Sequence, residues 1–462
     1  MLFARNRSFF ASAFKPPHRG NVRDVLRIAL PMLLSMSIDT LMTFADRLFL
    51  SKVGPDYMNA ALAGGSMQVV LMTFFNGVLS YSTAQVAQQL GAGKLGNCPR
   101  ASAQAFIVAI VCIPLVLLLR PLAYWMFELS GVAEVQLGLQ TVYLDLLLYG
   151  ACFVLFRQVL VCFFSGIAET RIVVLAAFLG MLVNVGLNYL LIFGKGPFPE
   201  LGIVGAAYGT ICGNAVTVLI LAAKYFGRGV RLRFGLSFRL HAELLKELLR
   251  RGFPSGFEMF FTMLAFNSLI LLFQGMSPVV ATASAVLFNW DMVAYVPLLG
   301  LGVAATSLSG RYSGARDMAA VRRSIRSCIL IGVGFSALAA VFFVGLPSVL
   351  ADVFSPGAGN EVFEEAKPVA VTMLRLASLY VLFEVPLVVL AGALRGAGDT
   401  FWVMCALVLC NWFTTGELWF FGYFLGLGAI ASWFAVVVSY CLFPVVLYLR
   451  FRSGAWRALK RV

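Results

Sequence analysis

Seven carboxylates, Asp39, Asp46, Asp145, Glu258, Asp291, Glu384 and Glu417, lie within stretches otherwise apolar enough to cross a bilayer. An ionised carboxylate in hydrocarbon costs roughly 3 kcal/mol or more, so a sequence keeps one there beside a water-filled cavity, a partner charge or a bound cation. The chemistry open to such groups is uptake and release of a proton or a cation. Asn184 and Asn188, four residues apart in an apolar stretch, share one helix face and offer polar partners. No zinc motif, nucleotide-binding loop or soluble catalytic domain accompanies these residues. The two histidines, His18 and His241, fall outside the apolar stretches, which excludes a histidine relay or metal site within the span. The pattern reads as charge handling inside a membrane, without enzymatic activity and without a cofactor other than a coupling ion.

The elements that position these acids follow from hydropathy. At 61% hydrophobic and 12% charged residues, the chain is excluded from the soluble globular class. Apolar runs of about 20 residues predict twelve spans, near 28–50, 60–88, 102–127, 140–165, 172–194, 203–226, 254–275, 280–308, 325–349, 369–393, 401–424 and 428–449. The fold expected is an all-α polytopic membrane protein of twelve transmembrane helices in two pseudo-symmetric six-helix bundles. Its parts are a basic tail (1–27), an N-lobe (28–226), an amphipathic linker (227–253), a C-lobe (254–449) and a second basic tail (450–462). The first span is too long, and too far behind a basic tail, for a cleavable signal peptide.

The net charge of +14 suggests nucleic acid until its placement is examined. Arg5, Arg7, Lys15, Arg19, Arg23 and Arg27 precede the first span, and Arg228, Arg231, Arg233, Arg239, Lys246, Arg250 and Arg251 separate spans six and seven. Arg311, Arg316, Arg322, Arg323 and Arg326 follow span eight, while Arg450, Arg452, Arg457, Lys460 and Arg461 end the chain. With twelve spans all of these fall on one side, which the positive-inside rule makes cytoplasmic, with both termini there. The partners expected of that charge are anionic lipid headgroups, not nucleic acid. Nine cysteines within spans or on the cytoplasmic side imply no extracellular disulfide framework.

The chain also repeats itself. The register that carries Pro31 onto Pro254 carries Gly77 onto Gly300, Thr83 onto Thr306 and Gly91-Ala92 onto Gly314-Ala315. Gly166-Ile167-Ala168-Glu169-Thr170 is answered by Gly396-Ala397-Gly398-Asp399-Thr400. Six spans per half, an even number, make the repeats parallel about an axis along the membrane normal. Two like bundles face to face enclose a central cleft that rocking would expose to either side. In the linker, Leu236, Leu240, Leu244, Leu248, Leu245 and Leu249 form an apolar stripe, expected to lie on the cytoplasmic interface. Pro31, Pro254, Pro297 and Pro386 are candidate kinks, and Glu169 and Asp399 are expected to cap helices or bind nearby backbone amides.

These residues together resemble the multidrug and toxic compound extrusion (MATE) family, in its bacterial DNA-damage-inducible branch. The resemblance runs from about Arg27 to about Arg450. It is carried by Leu30-Pro31 with Asp46 fifteen residues past the proline, Gln88-Gln89-Leu90-Gly91-Ala92-Gly93, Asn184-Val185-Gly186-Leu187-Asn188-Tyr189 with Ile192-Phe193-Gly194, and Phe383-Glu384 ahead of Leu394-Arg395-Gly396-Ala397-Gly398-Asp399-Thr400. It implies a monomeric antiporter in the bacterial inner membrane that expels organic cations and amphipathic small molecules using protons or sodium. Asp46 matches the family's N-lobe coupling carboxylate, Asn184 and Asn188 its polar partners, and Glu384 a C-lobe acid. Sodium at Asp46 and Asn184 is the alternative to a proton.

The chain departs from the family pattern at Asn188, where many relatives carry an acid, and at Thr262, where the family's common C-lobe glutamate is absent. Glu258, one turn earlier, and Asp291, in the polar patch Asn289-Trp290-Asp291, are candidates to replace it. The expected cation-coupling set is therefore Asp46, Asn184, Asn188 and Asp39, and the expected substrate-binding set Glu258, Thr262, Asp291 and Glu384. Asp145 and Glu417 read as interfacial, and Arg157 as a counter-charge to one of the acids. A flippase for lipid-linked saccharides is the main alternative; it calls for a basic cleft, whereas the charges within these spans are mainly acidic. A major-facilitator-type transporter shares the six-plus-six plan but not the motifs, and a channel calls for a filter repeat or an acidic ring, neither of which is legible.

Overall fold

The computed structural model describes residues 20–129, 134–236, 239–355 and 361–457. Arg5, Arg7, Lys15, His18, Arg19, Lys460 and Arg461 lie outside the described residues. The described residues are helical throughout, with no strand among them. Eleven helices are long and apolar enough to cross a membrane, and a twelfth span is a bent pair.

The N-terminal half comprises α1 (Val22–Ser51), α2 (Pro55–Ser80) running on into α3 (Ser82–Gly91), α4 (Asn97–Leu118) with α5 (Arg120–Leu129), α6 (Glu134–Tyr149) with α7 (Ala151–Gly166), α8 (Arg171–Ile192) and α9 (Ile203–Phe226). A short α10 (Arg228–Phe234) leads to the second half. That half comprises α11 (Ala242–Met276), α12 (Pro278–Gly314), α13 (Met318–Gly345), α14 (Pro347–Asp352), α15 (Glu361–Ala397), α16 (Thr400–Trp419) with a π turn over Phe420–Phe424, and α17 (Gly428–Ser453).

Local chemistry sets the helix ends. Asn21 caps α1 by accepting from the Asp24 amide, Ser277 caps α12 with Pro278 at its first position, and Asp317 caps α13 by accepting from the Ala320 amide. Gly454 ends α17 in the left-handed conformation at φ 71°. Pro31, Pro254, Pro297 and Pro386 all sit inside unbroken helices. The 47° bend of the fourth span falls instead between α6 and α7 at Gly150, where a Cβ would lie 2.6 Å from Ile211 Cγ1.

The matched turns also differ from expectation. Ala168 (φ 61°) and Gly398 (φ 94°) turn the chain in the two halves alike. Glu169 and Asp399 do not cap the following helices, however: each pairs with an arginine of its own half, Arg233 at 2.8 Å and Arg450 at 2.8 Å. At an arginine-rich end, a guanidinium supplies a charge-assisted fork that outcompetes a single amide.

The segment 227–253 likewise departs from a separate surface helix. From Ala242 it is continuous with the seventh span, and Leu244 and Leu248 are buried. Leu248 joins the core of the first half with Val78, Leu79 and Ala105, and Leu245 and Leu249 pack against that cluster. The stripe therefore buries Leu244 and Leu248 against protein, half-buries Leu245 and Leu249, and leaves Leu240 exposed.

The apolar cores show how the lobes meet. One large cluster draws Val25, Ile28, Met32, Val86, Phe163 and Phe164 from the first half together with Leu298, Leu301, Leu308, Val389 and Leu394 from the second. These residues lie in the half of the bundle nearest the arginine-rich segments, called here the basic end. Towards the other end, separate cores serve the first half (Leu50, Tyr143, Ile192, Ile203) and the second (Phe273, Phe288, Tyr380, Trp433).

Hydrogen bonds between the lobes fall in the same basic half: Gln88 to the Gly396 carbonyl at 2.7 Å, Ser307 to the Ser165 carbonyl at 2.7 Å, Gln85 to the Leu244 carbonyl at 2.9 Å, and Arg251 to the Tyr81 hydroxyl at 2.9 Å. The contacts obey the internal repeat. A Cβ on Gly91 would lie 1.8 Å from the Arg311 carbonyl oxygen, and one on Gly314 would lie 2.2 Å from that of Gln88. Gly77 presses on Ser255-Gly256 as Gly300 presses on Ala29 and Leu33. Each pair maps onto the other by the register that relates Pro31 to Pro254. Small residues at these sites let the helices approach backbone to backbone.

Replacing Gly91 by Val should overpack this contact by about 1–3 kcal/mol. Spin-label distances between the lobes at the basic end should lengthen in that variant. Gly138→Val, where a Cβ meets nothing within 4 Å, should leave them unchanged.

Candidate functional site

The first half builds its site where α1, α8 and α9 converge. Gly180 of α8 and Gly213 of α9 abut so closely that a Cβ on either would fall 2.7–2.8 Å from the other's carbonyl oxygen. A Cβ on Gly209 would fall 2.0 Å from Asn188 Oδ1. This close approach drives Asn184 and Asn188, both fully buried, towards α1. There Asn188 Nδ2 donates to Asp46 Oδ1, and Thr210 Oγ1 of α9 donates to Asp46 Oδ2 at 3.0 Å. Asn184 Nδ2 donates to Thr210 Oγ1 at 3.3 Å, and Asn188 Nδ2 also reaches Asn184 Oδ1 at 3.4 Å. Asp46 is 5% exposed and forms no ion pair among the described residues. The three residues expected together are together. Thr210 was not foreseen; its one sequence signal is its place in the small-residue stripe Gly205, Gly209, Gly213.

Asp39, two turns towards the basic end, differs from its expected role. Arg157 of α7 holds it at 2.6 Å and also donates to Asn214 Oδ1 at 3.2 Å. Asn214 in turn donates to the Thr210 carbonyl at 3.0 Å. Asp39 is thus half of a neutral pair, and it reaches Asp46 only through Arg157, Asn214 and Thr210. Arg157 is the expected counter-charge, and Asp39 is the acid it neutralises.

In the second half, Tyr380 of α15 donates to Asp291 Oδ1 of α12. Glu384 lies one turn from Tyr380 on the same helix face. Asp291 is 8% and Glu384 6% exposed. Glu384 Oε2 is buried without a hydrogen-bond partner, and neither acid forms an ion pair among the described residues. Aromatic rings wall the pair: Tyr380 stands 5.7 Å from Trp433 and 5.5 Å from Tyr440, centroid to centroid. Two uncompensated carboxylates beside π faces suit an organic cation.

Glu258, unlike Asp291 and Glu384, has an arginine partner. Arg395 grips it through Nε to Oε2 at 3.0 Å and through Nη2 to Oε1, and the glutamate is buried. Arg395 lies eleven residues beyond Glu384 on α15, about 16 Å along the axis at 1.5 Å per residue. The candidate cargo residue Glu258 thus has its charge answered within the protein, whereas Asp291 and Glu384 do not. Arg395 belongs to the motif Leu394-Arg395-Gly396, where nothing in the sequence singles it out as a partner for Glu258. Thr262, one turn past Glu258, has a buried Oγ1 without a hydrogen-bond partner. Asp145 is neutralised by Arg120 at 2.6 Å, and Glu417 accepts from Ser439 at 2.8 Å.

The backbone symmetry does not extend to the acids. The register relating the halves maps Asp46 onto Leu269, Asp39 onto Thr262 and Asp291 onto Gln68. One scaffold, used twice, carries among the described residues Asp46 without a charge partner in one half, and Asp291, Glu384 and the half-buried Glu417 in the other.

Comparison with known proteins agrees with this architecture. The MatE family model matches residues 31–190 and 254–415, once in each half. The chain is 27% identical over 383 residues to the multidrug resistance protein MdtK of Edwardsiella ictaluri (strain 93-146), covering 82% of each. It is 25% identical over 449 residues to the probable multidrug resistance protein NorM of Pasteurella multocida (strain Pm70), covering 94% of this chain and 95% of that one. A crystal structure of MATE in complex with MaL6 superposes with a TM-score of 0.84 at 21% identity, over 95% of this chain and 98% of the other. A MOP superfamily transporter from Pyrococcus furiosus Vc1 (DSM3638), described as having a binding pocket of reverse polarity, gives 0.84 at 21% identity over 95% and 97%. With one family match on each six-span half and the repeat-related glycine contacts between them, the chain belongs to the MatE family.

Proposed function

We propose that this chain is a multidrug efflux transporter, not an enzyme, that exchanges organic cations or amphipathic small molecules for protons by alternating access. The observation that carries the reading is the distribution of uncompensated charge. Asp39 and Glu258 are neutralised by arginines, whereas Asp46, Asp291 and Glu384 are buried without a cationic partner among the described residues. A buried carboxylate of that kind must be neutralised by a proton or a positive guest. The relatives' names support multidrug cargo.

The two halves take different parts. Asp46 is ringed by donors, the Asn188 amide and the Thr210 hydroxyl, which suits a carboxylate that alternates between charge and proton. A sodium ion would need those groups turned to present oxygens. The aromatic-walled pair Asp291 and Glu384 receives cargo. The lobes share a core at the basic end and have separate cores at the other. With the basic end cytoplasmic, as the positive-inside rule directs, this arrangement faces outward from the bacterial inner membrane and both termini are cytoplasmic. The protein acts as a monomer, because each chain carries both halves of the cleft. Coupling requires only that proton and cargo favour different lobe arrangements.

In proteoliposomes, an imposed pH gradient should drive efflux of a cationic dye and a sodium gradient should not. Asp46→Asn should abolish pH-driven efflux; full retention removes Asp46 from the mechanism. Glu384→Gln should weaken dye binding about tenfold, near 1.4 kcal/mol, as read by equilibrium fluorescence. Arg395→Met should cost about 3–5 kcal/mol of stability by stranding Glu258, and the double variant Glu258→Gln/Arg395→Met should recover most of it. Thermal unfolding with and without dye separates that effect from cargo binding.

A further inference from the structure

The outer face of the helix that joins the lobes carries a feature the exchange mechanism does not use. A groove of about 550 Å³ at the start of α11 is lined by Leu240, Leu245, Lys246, Leu249, Arg250 and Phe253. Lys246 and Arg250 are both exposed, and neither has an ion pair or hydrogen bond among the described residues. The spacing 246, 250, 253, 257 holds Lys246, Arg250, Phe253 and Phe257 on one helix face. Phe253 is 43% and Phe257 42% exposed. Phe261 continues the row, stacked on Phe257 with ring centroids 6.1 Å apart. Phe74 of α2 closes one side, 5.8 Å from Phe253 and 5.0 Å from Phe257.

We propose that this face binds one anionic phospholipid, its phosphate between Lys246 and Arg250 and an acyl chain along Phe253, Phe257 and Phe261. The dimensions fit. From Arg250 to Phe261 the helix rises about 16 Å at 1.5 Å per residue, close to the roughly 15 Å of one leaflet's hydrocarbon. The order of chemistry along the face, two cations and then three rings, matches headgroup followed by tail. A cationic cargo is repelled by the same two residues, and a soluble partner helix would not follow the row of rings into the span. An adjacent face of the same turns, about 100° round the helix, holds the contacts between lobes, with Glu247 and Arg251 meeting Gln85 and Tyr81. A lipid seated outside thus braces the helix that closes the basic end.

The test is native mass spectrometry of the full chain released from vesicles of equal phosphatidylglycerol and phosphatidylcholine. Wild type should retain one phosphatidylglycerol in preference to phosphatidylcholine. Lys246→Gln/Arg250→Gln should lower that retention about tenfold or more, since each cation near the surface contributes on the order of 1 kcal/mol. Arg322→Gln/Arg326→Gln, a second exposed basic pair four residues apart without the ring row, should leave retention unchanged. Phe257→Ala should lower retention of a long-chain phosphatidylglycerol more than that of a dihexanoyl one. Equal loss in both paired variants, displacement by inorganic phosphate, or no headgroup preference would overturn the proposal.

Discussion

The structure depends on one electrostatic constraint: a carboxylate buried within a membrane span cannot stay ionised and alone. The chain meets this constraint in two ways. Arg120, Arg157 and Arg395 neutralise Asp145, Asp39 and Glu258 within the protein, which makes those acids part of the scaffold. Asp46, Asp291 and Glu384 receive only uncharged donors or none. Their neutralisation has to come from outside the chain, and that requirement converts a structural cost into transport. In the proposed reading, function follows from the fully buried acids that lack an arginine, and not from the number of acids in the spans.

The scaffold supplies the second requirement, two arrangements of the lobes. A shared core at the basic end and separate cores at the other give a hinge-like closure at one end only. The reciprocal glycine contacts, Gly91 on Arg311 and Gly314 on Gln88, show how a duplicated sequence makes such a closure. These backbone-to-backbone contacts sit within the shared core, so parting the lobes at this end must also separate the side chains packed there. The acids are free of that symmetry, since they do not take part in closure. This explains why Asp46 has Leu269 as its counterpart while the glycines retain theirs.

Much of this was legible in the sequence. Composition and the Pro31–Pro254 register led to two six-span halves, the four-residue spacing put Asn184 and Asn188 on one helix face, and the family resemblance paired them with Asp46. What escaped was the pairing of charges across helices. Arg395 sits in the last turn of α15, and its side chain reaches Glu258, 137 residues away in the chain. Thr210 is one hydroxyl in a stripe of small residues, and only the close approach of α8 and α9 turns it onto Asp46. The bend falls at Gly150, which packs closely against Ile211, with no proline to mark it in the sequence. Local periodicity reports which face a residue occupies; it does not report which distant helix will meet that face.

The central claim is that protons and positive cargo alternate in neutralising the carboxylates the protein leaves uncompensated, so that binding one releases the other. The most direct measurement is the release of protons when an organic cation such as tetraphenylphosphonium is titrated into the purified, detergent-solubilised protein in weakly buffered solution. The account predicts protons released in proportion to cation bound, with the release diminished when Asp46, Asp291 and Glu384 are replaced by their amides. Saturable binding of the cation with no proton released at any pH would contradict it.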